Sequence, residues 1–466
     1  MRRAAAVLLL MFAGWGFWRD AAVARPSVHL PETSETSVTV YDSNPSHIWN
    51  RLYATLFVRQ DRQGNRYGED SLDPLLWGET EYLLAQPSHQ VAMEILDEFL
   101  RTHAETLVHD PVKKAMLQRD LWALFDWTVE QYSPNGRPHY EKEKQELQNR
   151  LAEALRRLAL TPEEIKALPD TYAQAVASGA FAKEYDAADR ERAFLPPDLF
   201  GAQSPWVCVQ SSPESDAGVA KMHVFNLSGR SSFLVFVRLP GGHKATMDYL
   251  QSLWNFPQPW IQEQNPGSDQ PVENPDLPPF PAGTEFALVR HANVFDSEGE
   301  IEASPITESV QIRVYRSITT SEPRNFTGGI DYMIKKSGQD FFEIKMSRPL
   351  LFSGKNGGLR AVGRNEKDFF TFQSQGDDQI SELANRADFE KNHIPEMQTC
   401  VWCHSGGGVS SFNSRSSLFR PNRRPQDPNS PQYGPIYWGD STTIAWKQNR
   451  YDWGLLNGYW KASKPQ

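Results

Sequence analysis

The apolar residues of this 466-residue chain keep two different rhythms, and the change between them limits what it can fold into. From about residue 44 to 195 the spacing is helical. Asn44-Pro45 stands before Ile48, Leu52 and Leu56, an i, i+4, i+8 stripe. Asp110-Pro111 stands before Met116, Leu117, Leu121, Leu124 and Phe125. A capping side chain followed by proline suits a first helical turn, because proline lacks only an N–H that would have no partner there. Leu147, Leu151, Leu155 and Leu158 mark a third helix. Thr161-Pro162-Glu163-Glu164 is a capping box, and Asp170 to Ser178 forms a further helix stopped by Gly179.

From Trp206 the period shortens to two. Strands are expected at Met222–Asn226 and Ser232–Leu239 around a turn at Ser228-Gly229. More are expected at Glu285–Asn293, Ser309–Arg316, Asp340–Met346 and Phe369–Phe372. Ala245–Trp254 reads as a helix. Phe256–Ala282 holds eight prolines and reads as a surface excursion or an interdomain crossover. Strand signals fade from about Phe389, and Thr442–Asn457 returns to a helical pattern rich in Trp and Tyr. These patterns predict an α+β fold. Its parts are a helical domain over 44–200, a β-rich domain over 201–385, and an irregular or helical segment over 386–466.

The first 24 residues have the makeup of an export signal, followed by a linker over 25–43. Arg2 and Arg3 form a positive start, and Ala4–Trp18 is an apolar run of 15 residues. That falls short of the roughly 20 needed to span a bilayer. Ala22-Val23-Ala24 supplies small residues for cleavage after Ala24, which predicts a periplasmic or other extracytoplasmic location and a mature chain that is not transmembrane. An uncleaved anchor is the alternative. The formal charge of −10 becomes about −12 without residues 1–24, which argues against nucleic-acid binding, since phosphate contacts need a basic surface. From Lys391 onward, however, nine Lys or Arg face four Asp or Glu, a net of +5.

That basic tail contains Cys400-Val401-Trp402-Cys403-His404. Only three cysteines occur in the chain, so two of them three apart with a histidine directly behind is a pointed use of scarce residues. Two thiols at this spacing can each add to a vinyl group of one haem, and the adjoining imidazole then lies beneath the iron. The third, Cys208, leaves no disulfide framework. The segment resembles a c-type cytochrome over these five residues and loosely over the 62 that follow. The resemblance implies one covalent haem c per chain, thioether bonds at Cys400 and Cys403, His404 as the proximal iron ligand, and electron transfer with a redox partner protein.

The pattern departs from the common small cytochromes at the sixth ligand, because no Met or His follows His404. His393 and Met397 lie closest upstream; Met333, Met346, His243 and His291 are more distant donors, and Lys447 is an unusual one. A five-coordinate iron is a further option, and it would make the protein a haem-dependent enzyme or gas sensor. Arg415, Arg420, Arg423 and Arg424 are either partners for haem propionates or a solvated basic loop. A competing account makes the cysteines a redox dithiol or half of a zinc site, with Cys208 or His393 as the fourth donor, in a β-rich binding module. The acidic run Glu69-Asp70-Ser71-Leu72-Asp73 fits no calcium loop and suits helix capping, and His243 sits on a Gly-rich turn. The chain has no Walker loop, dinucleotide fingerprint, H-E-x-x-H or G-x-S-x-G.

Overall fold

In the computed structural model the two rhythms become a helical stack and a sheet. It describes residues 38–60, 66–70, 82–130, 140–201, 204–209, 220–258, 260–262, 271–318, 334–369, 393–395, 397, 400, 404–405, 411 and 441–462. In chain order the elements begin with α1 (Ile48–Phe57), β1 (Arg59–Gln60), β2 (Arg66–Tyr67) and α2 (Ser88–Arg101). Next come α3 (Pro111–Glu130), α4 (Glu141–Leu158), α5 (Pro162–Lys166) and α6 (Thr171–Ser178). The middle of the chain supplies β3 (Val207–Val209), α7 (Lys221–Asn226), β4 (Ser231–Arg238), α8 (Gly242–Trp254), β5 (Trp260–Gln262) and β6 (Pro271–Glu273). It continues with β7 (Thr284–Phe295), β8 (Ile301–Tyr315), β9 (Gln339–Met346), α9 (Arg348–Phe352), β10 (Leu359–Ala361) and β11 (Lys367–Phe369). The last described elements are β12 (His393–Pro395), α10 (Ser441–Gln448) and α11 (Tyr451–Ala462). The fold is α+β.

Local chemistry accounts for the helix ends. Thr161 and Glu164 form both hydrogen bonds of a capping box at α5, and Asp170 accepts from Ala173 N at α6. Gly179 ends α6 at φ 70°, a left-handed conformation that costs glycine little. At α1 the cap is His47, whose side chain accepts from Trp49 N, while Asn44 forms a turn just before it. The helix therefore starts later than Asn44-Pro45 suggests. Helix α2, which buries Ala92, Met93, Ile95, Leu96 and Phe99, is an element the spacing argument does not name. Asp70 does serve as a cap, but across the fold: its Oδ1 accepts from Arg348 N, at the start of α9, at 2.9 Å.

Four further expectations change. Met222–Asn226 is not a strand but lies in the short helix α7, closed by Val224 N to Ala220 O and Leu227 N to His223 O. It packs Val224 and Ala220 on Phe233. Strand β8 begins eight residues before Ser309, because Pro305 falls within a register shift against β7, between the pairs His291–Thr307 and Asn293–Ala303, where a missing ladder N–H is tolerated. The proline-rich stretch holds the β5–β6 ladder and sends Leu277 and Phe280 into an apolar cluster, so it is partly built into the fold. The C-terminal helical pattern is two helices, α10 and α11, separated at Asn449-Arg450. The expected strand at Phe369–Phe372 is seen only through Phe369; its remainder lies outside the described residues, as do residues 1–37 with the predicted export signal.

The six-stranded sheet is antiparallel throughout, in the order β10-β9-β8-β7-β4-β3, so neighbours in space follow the chain. Successive residues of a strand point to opposite faces. On one face Leu234, Phe236, Ala287, Val289, Val310, Ile312, Phe342 and Ile344 form a cluster with Ile165, Leu168 and Tyr172 of the helical region. The other face carries aligned rows such as Val237, Phe286, Arg313 and Phe341, and Phe233, Arg290, Ser309 and Lys345. Between them runs Val235, Leu288, Gln311 and Glu343. A separate cluster joins α1–α4 to Phe295, Ile301, Trp453, Leu456 and Trp460. Among the described residues no helix is long and apolar enough to cross a membrane.

Candidate haem site

The mixed face of the sheet collects the residues that matter chemically. Cys400 packs against a small apolar cluster of Ile334, Phe341, Val362 and Met397. Cys403 lies outside the described residues, as do Val401 and Trp402. His404 is described, and two adjacent strands hold it. Gln339 of β9 donates through Nε2 to His404 O at 3.1 Å. Arg313 of β8 places Nη1 2.9 Å from His404 Nδ1 and donates to Ser411 O at 3.0 Å. Tyr315, two residues along β8 on the same face, shares a 2.5 Å hydrogen bond with Ser411 Oγ.

His404 Nδ1 also lies 2.5 Å from Ser411 O. An arginine only donates and a carbonyl only accepts, so Nδ1 cannot hydrogen-bond to both Arg313 and Ser411. The carbonyl contact is the shorter, and Arg313 reinforces it by donating to the same oxygen. We therefore place the proton on Nδ1, which makes Nε2 the nitrogen that carries the lone pair. A metal-bound histidine characteristically has this arrangement, with one nitrogen on the metal and the other donating its N–H to a carbonyl that fixes the tautomer and the ring orientation. The donor set at Cys400 and His404 thus fits a covalently attached haem.

A second imidazole faces this region. His223 of α7 has its ring centroid 6.3 Å from that of His404, with the two planes 15° apart. It also approaches Phe233 of β4, at 5.5 Å between ring centroids. His223 keeps a partly exposed surface. Burial of the ring nonetheless pushes its pKa down to about 4, helped by the positive charges of Arg313 and Arg290. It is therefore neutral near pH 7. Among the described residues neither ring nitrogen of His223 makes a hydrogen bond.

The other donors considered from sequence are placed elsewhere or engaged otherwise. Met397 is buried in the cluster that supports Cys400, so its side chain is part of that packing. Met346 belongs to the opposite face of the sheet. His243 Nδ1 hydrogen-bonds Ser204 O at 2.7 Å near the start of α8. His291 is buried with its ring 6.1 Å from that of Phe200. Lys447 is buried between Asp126 and Asp452, at 2.7 and 3.0 Å. His393 lies on β12 opposite Phe369, and Met333 and the four arginines from Arg415 to Arg424 lie outside the described residues. Cys208 sits in the packed-face cluster, away from the one that holds Cys400. Among the described residues no group of three or more His, Cys, Asp or Glu can hold a metal ion.

Sequence reasoning alone missed His223, Arg313, Tyr315, Gln339 and Ser411. The strand alternation places Arg313, Tyr315 and Gln339 on one face once the β8–β9 register is known, but no local motif marks them. His223 is hidden by the reading of its segment as a strand. No protein-family model, no curated protein and no solved structure matches this chain.

Proposed function

We propose that the protein is an exported mono-haem c-type cytochrome that carries one covalent haem c at Cys400 and Cys403, with His404 as the proximal iron ligand. The observation that carries this reading is His404: it directly follows a C-x-x-C pair, and its Nδ1 is committed to Ser411 O. The haem, when bound, supplies a site that takes up and releases one electron. The chain's residues attach it through two thioethers, orient the ligand ring through the Ser411 carbonyl, and hold the segment on β8 and β9 through Arg313, Tyr315 and Gln339. Arg313 sets a positive charge beside the proximal imidazole, which favours the reduced state. The role this supports is electron transfer with a redox partner protein, met through the basic C-terminal portion. The predicted export signal supports the same reading, since haem attachment of this kind follows transport across the cytoplasmic membrane.

A second reading rests on the absence of any Met or His after His404: an open sixth site for peroxide or nitric oxide chemistry. A third, a zinc or thiol site on a β-rich binding module, rests on the cysteine spacing alone. Expression in a host with and without c-type maturation machinery, followed by intact mass, separates haem from the third reading. A gain of one haem, only with the machinery, is expected. An unchanged mass in both hosts would contradict the proposal.

A further inference from the structure

We propose that His223 is the sixth ligand of the iron, on the side opposite His404. This assignment rests on the haem reading above and deepens it. The two near-parallel imidazoles are 6.3 Å apart between centroids, with their planes 15° apart. A metal–imidazole bond of about 2 Å, with the nitrogen about 1 Å from its ring centre, puts two imidazoles on opposite sides of one metal about 6 Å apart, centroid to centroid. The separation seen here is thus the one a shared metal requires.

The chemistry of the second ring agrees with its position. A ligand must present an imidazole nitrogen with its lone pair available. Among the described residues its nitrogens serve no hydrogen bond, whereas His243 is committed to Ser204 O. A six-residue helix carries it, anchored on the sheet by Val224 and Ala220 against Phe233. The turn that follows is pinned too: Gly229, at φ 73°, lies under Lys447 and Trp446, and Asn293 donates to its carbonyl at 3.2 Å. Both rings are therefore mounted on the same sheet, His223 beside β4 and His404 on β8 and β9. With both axial positions filled by protein, the iron passes electrons and does not bind small molecules, so the assignment also decides between the first two readings of function.

The test uses the full chain matured in a host that attaches haem c. The wild type is expected to gain one haem mass, to show a low-spin spectrum in both oxidation states, and to bind no carbon monoxide when reduced. His223→Ala should retain the haem mass, turn high-spin, and bind carbon monoxide stoichiometrically, with added imidazole restoring the low-spin spectrum. His223→Met keeps a side chain of similar length at the position. It should stay six-coordinate while magnetic circular dichroism reports sulfur in place of nitrogen. Haem present on His223→Ala with an unchanged low-spin spectrum would overturn the ligand assignment alone, as would His223→Met with unchanged nitrogen ligation. A wild type without haem would overturn the cytochrome reading and this assignment with it.

Discussion

The two faces of the six-stranded sheet are made by the same strands in the same register, yet they do different work. One face is almost purely aliphatic and aromatic and is covered by α5, α6 and the chain around Phe194 and Leu199. The other is only partly covered at its centre, where Leu288, Arg290, Ser309, Gln311, Arg313 and Lys345 stay half-exposed among three small apolar clusters. Burial of apolar area stabilises the first face. The second trades some of that for donors and charges that hold His404. Strand β8 shows both in one stretch: Val310, Ile312 and Val314 are buried, while Ser309, Gln311 and Arg313 are not. Alternation thus lets one strand serve stability with even residues and chemistry with odd ones.

The contrast is broken most strongly by cutting into the packed face. Phe236→Ala should cost about 3–5 kcal/mol in urea unfolding, since Phe236 is fully buried. Gln311→Ala, across the sheet, should stay within about 0.5 kcal/mol. Comparable losses at the two positions would mean that the faces do not divide the work. Next in size is Lys447→Met. Removing one cation from between Asp126 and Asp452 should destabilise by about 3 kcal/mol, with the haem spectrum unchanged. A spectral change there would bring Lys447 back as an iron ligand.

A smaller effect is expected from pH. His223 is held at about 4 in the folded chain against an ordinary value of 6.5. Above pH 6.5 both folded and unfolded chains carry it neutral. Below that only the unfolded chain takes up the proton, so stability of the haem-free chain falls as pH drops from 6.5 to about 4. His223→Asn should flatten that part of the profile. The smallest expected shift is electrochemical. Arg313→Gln removes a positive charge beside His404, which favours the oxidised iron, and should lower the reduction potential by some tens of millivolts. A rise in potential would show that Arg313 acts by other means.

Much of this architecture can be read along the chain, because its causes are local. The capping box at Thr161 and the stop at Gly179 are chemistry within four residues, and both stand where expected. The C-x-x-C-H motif is equally local. What escapes is decided by partners far apart in sequence. In Lys221–Asn226 the alternation of Met222 and Val224 mimics a strand, and six residues are too few for a helical period to register; its packing on Phe233 and the turn at Gly229 make it a helix. That misreading also hides His223. Likewise, nothing near Arg313 or Gln339 tells that they will clamp His404, since only the register of β8 on β9 brings them there.

Everything proposed for this site depends on haem bound covalently at Cys400 and Cys403. Mass mapping of a tryptic digest of the matured chain tests it most directly. Cleavage after Lys391 and Arg415 releases the peptide Asn392–Arg415, which contains both cysteines and His404. This peptide is expected to be recovered carrying one haem, with both thiols consumed. Recovery at its unmodified mass, with two alkylatable thiols, would contradict it.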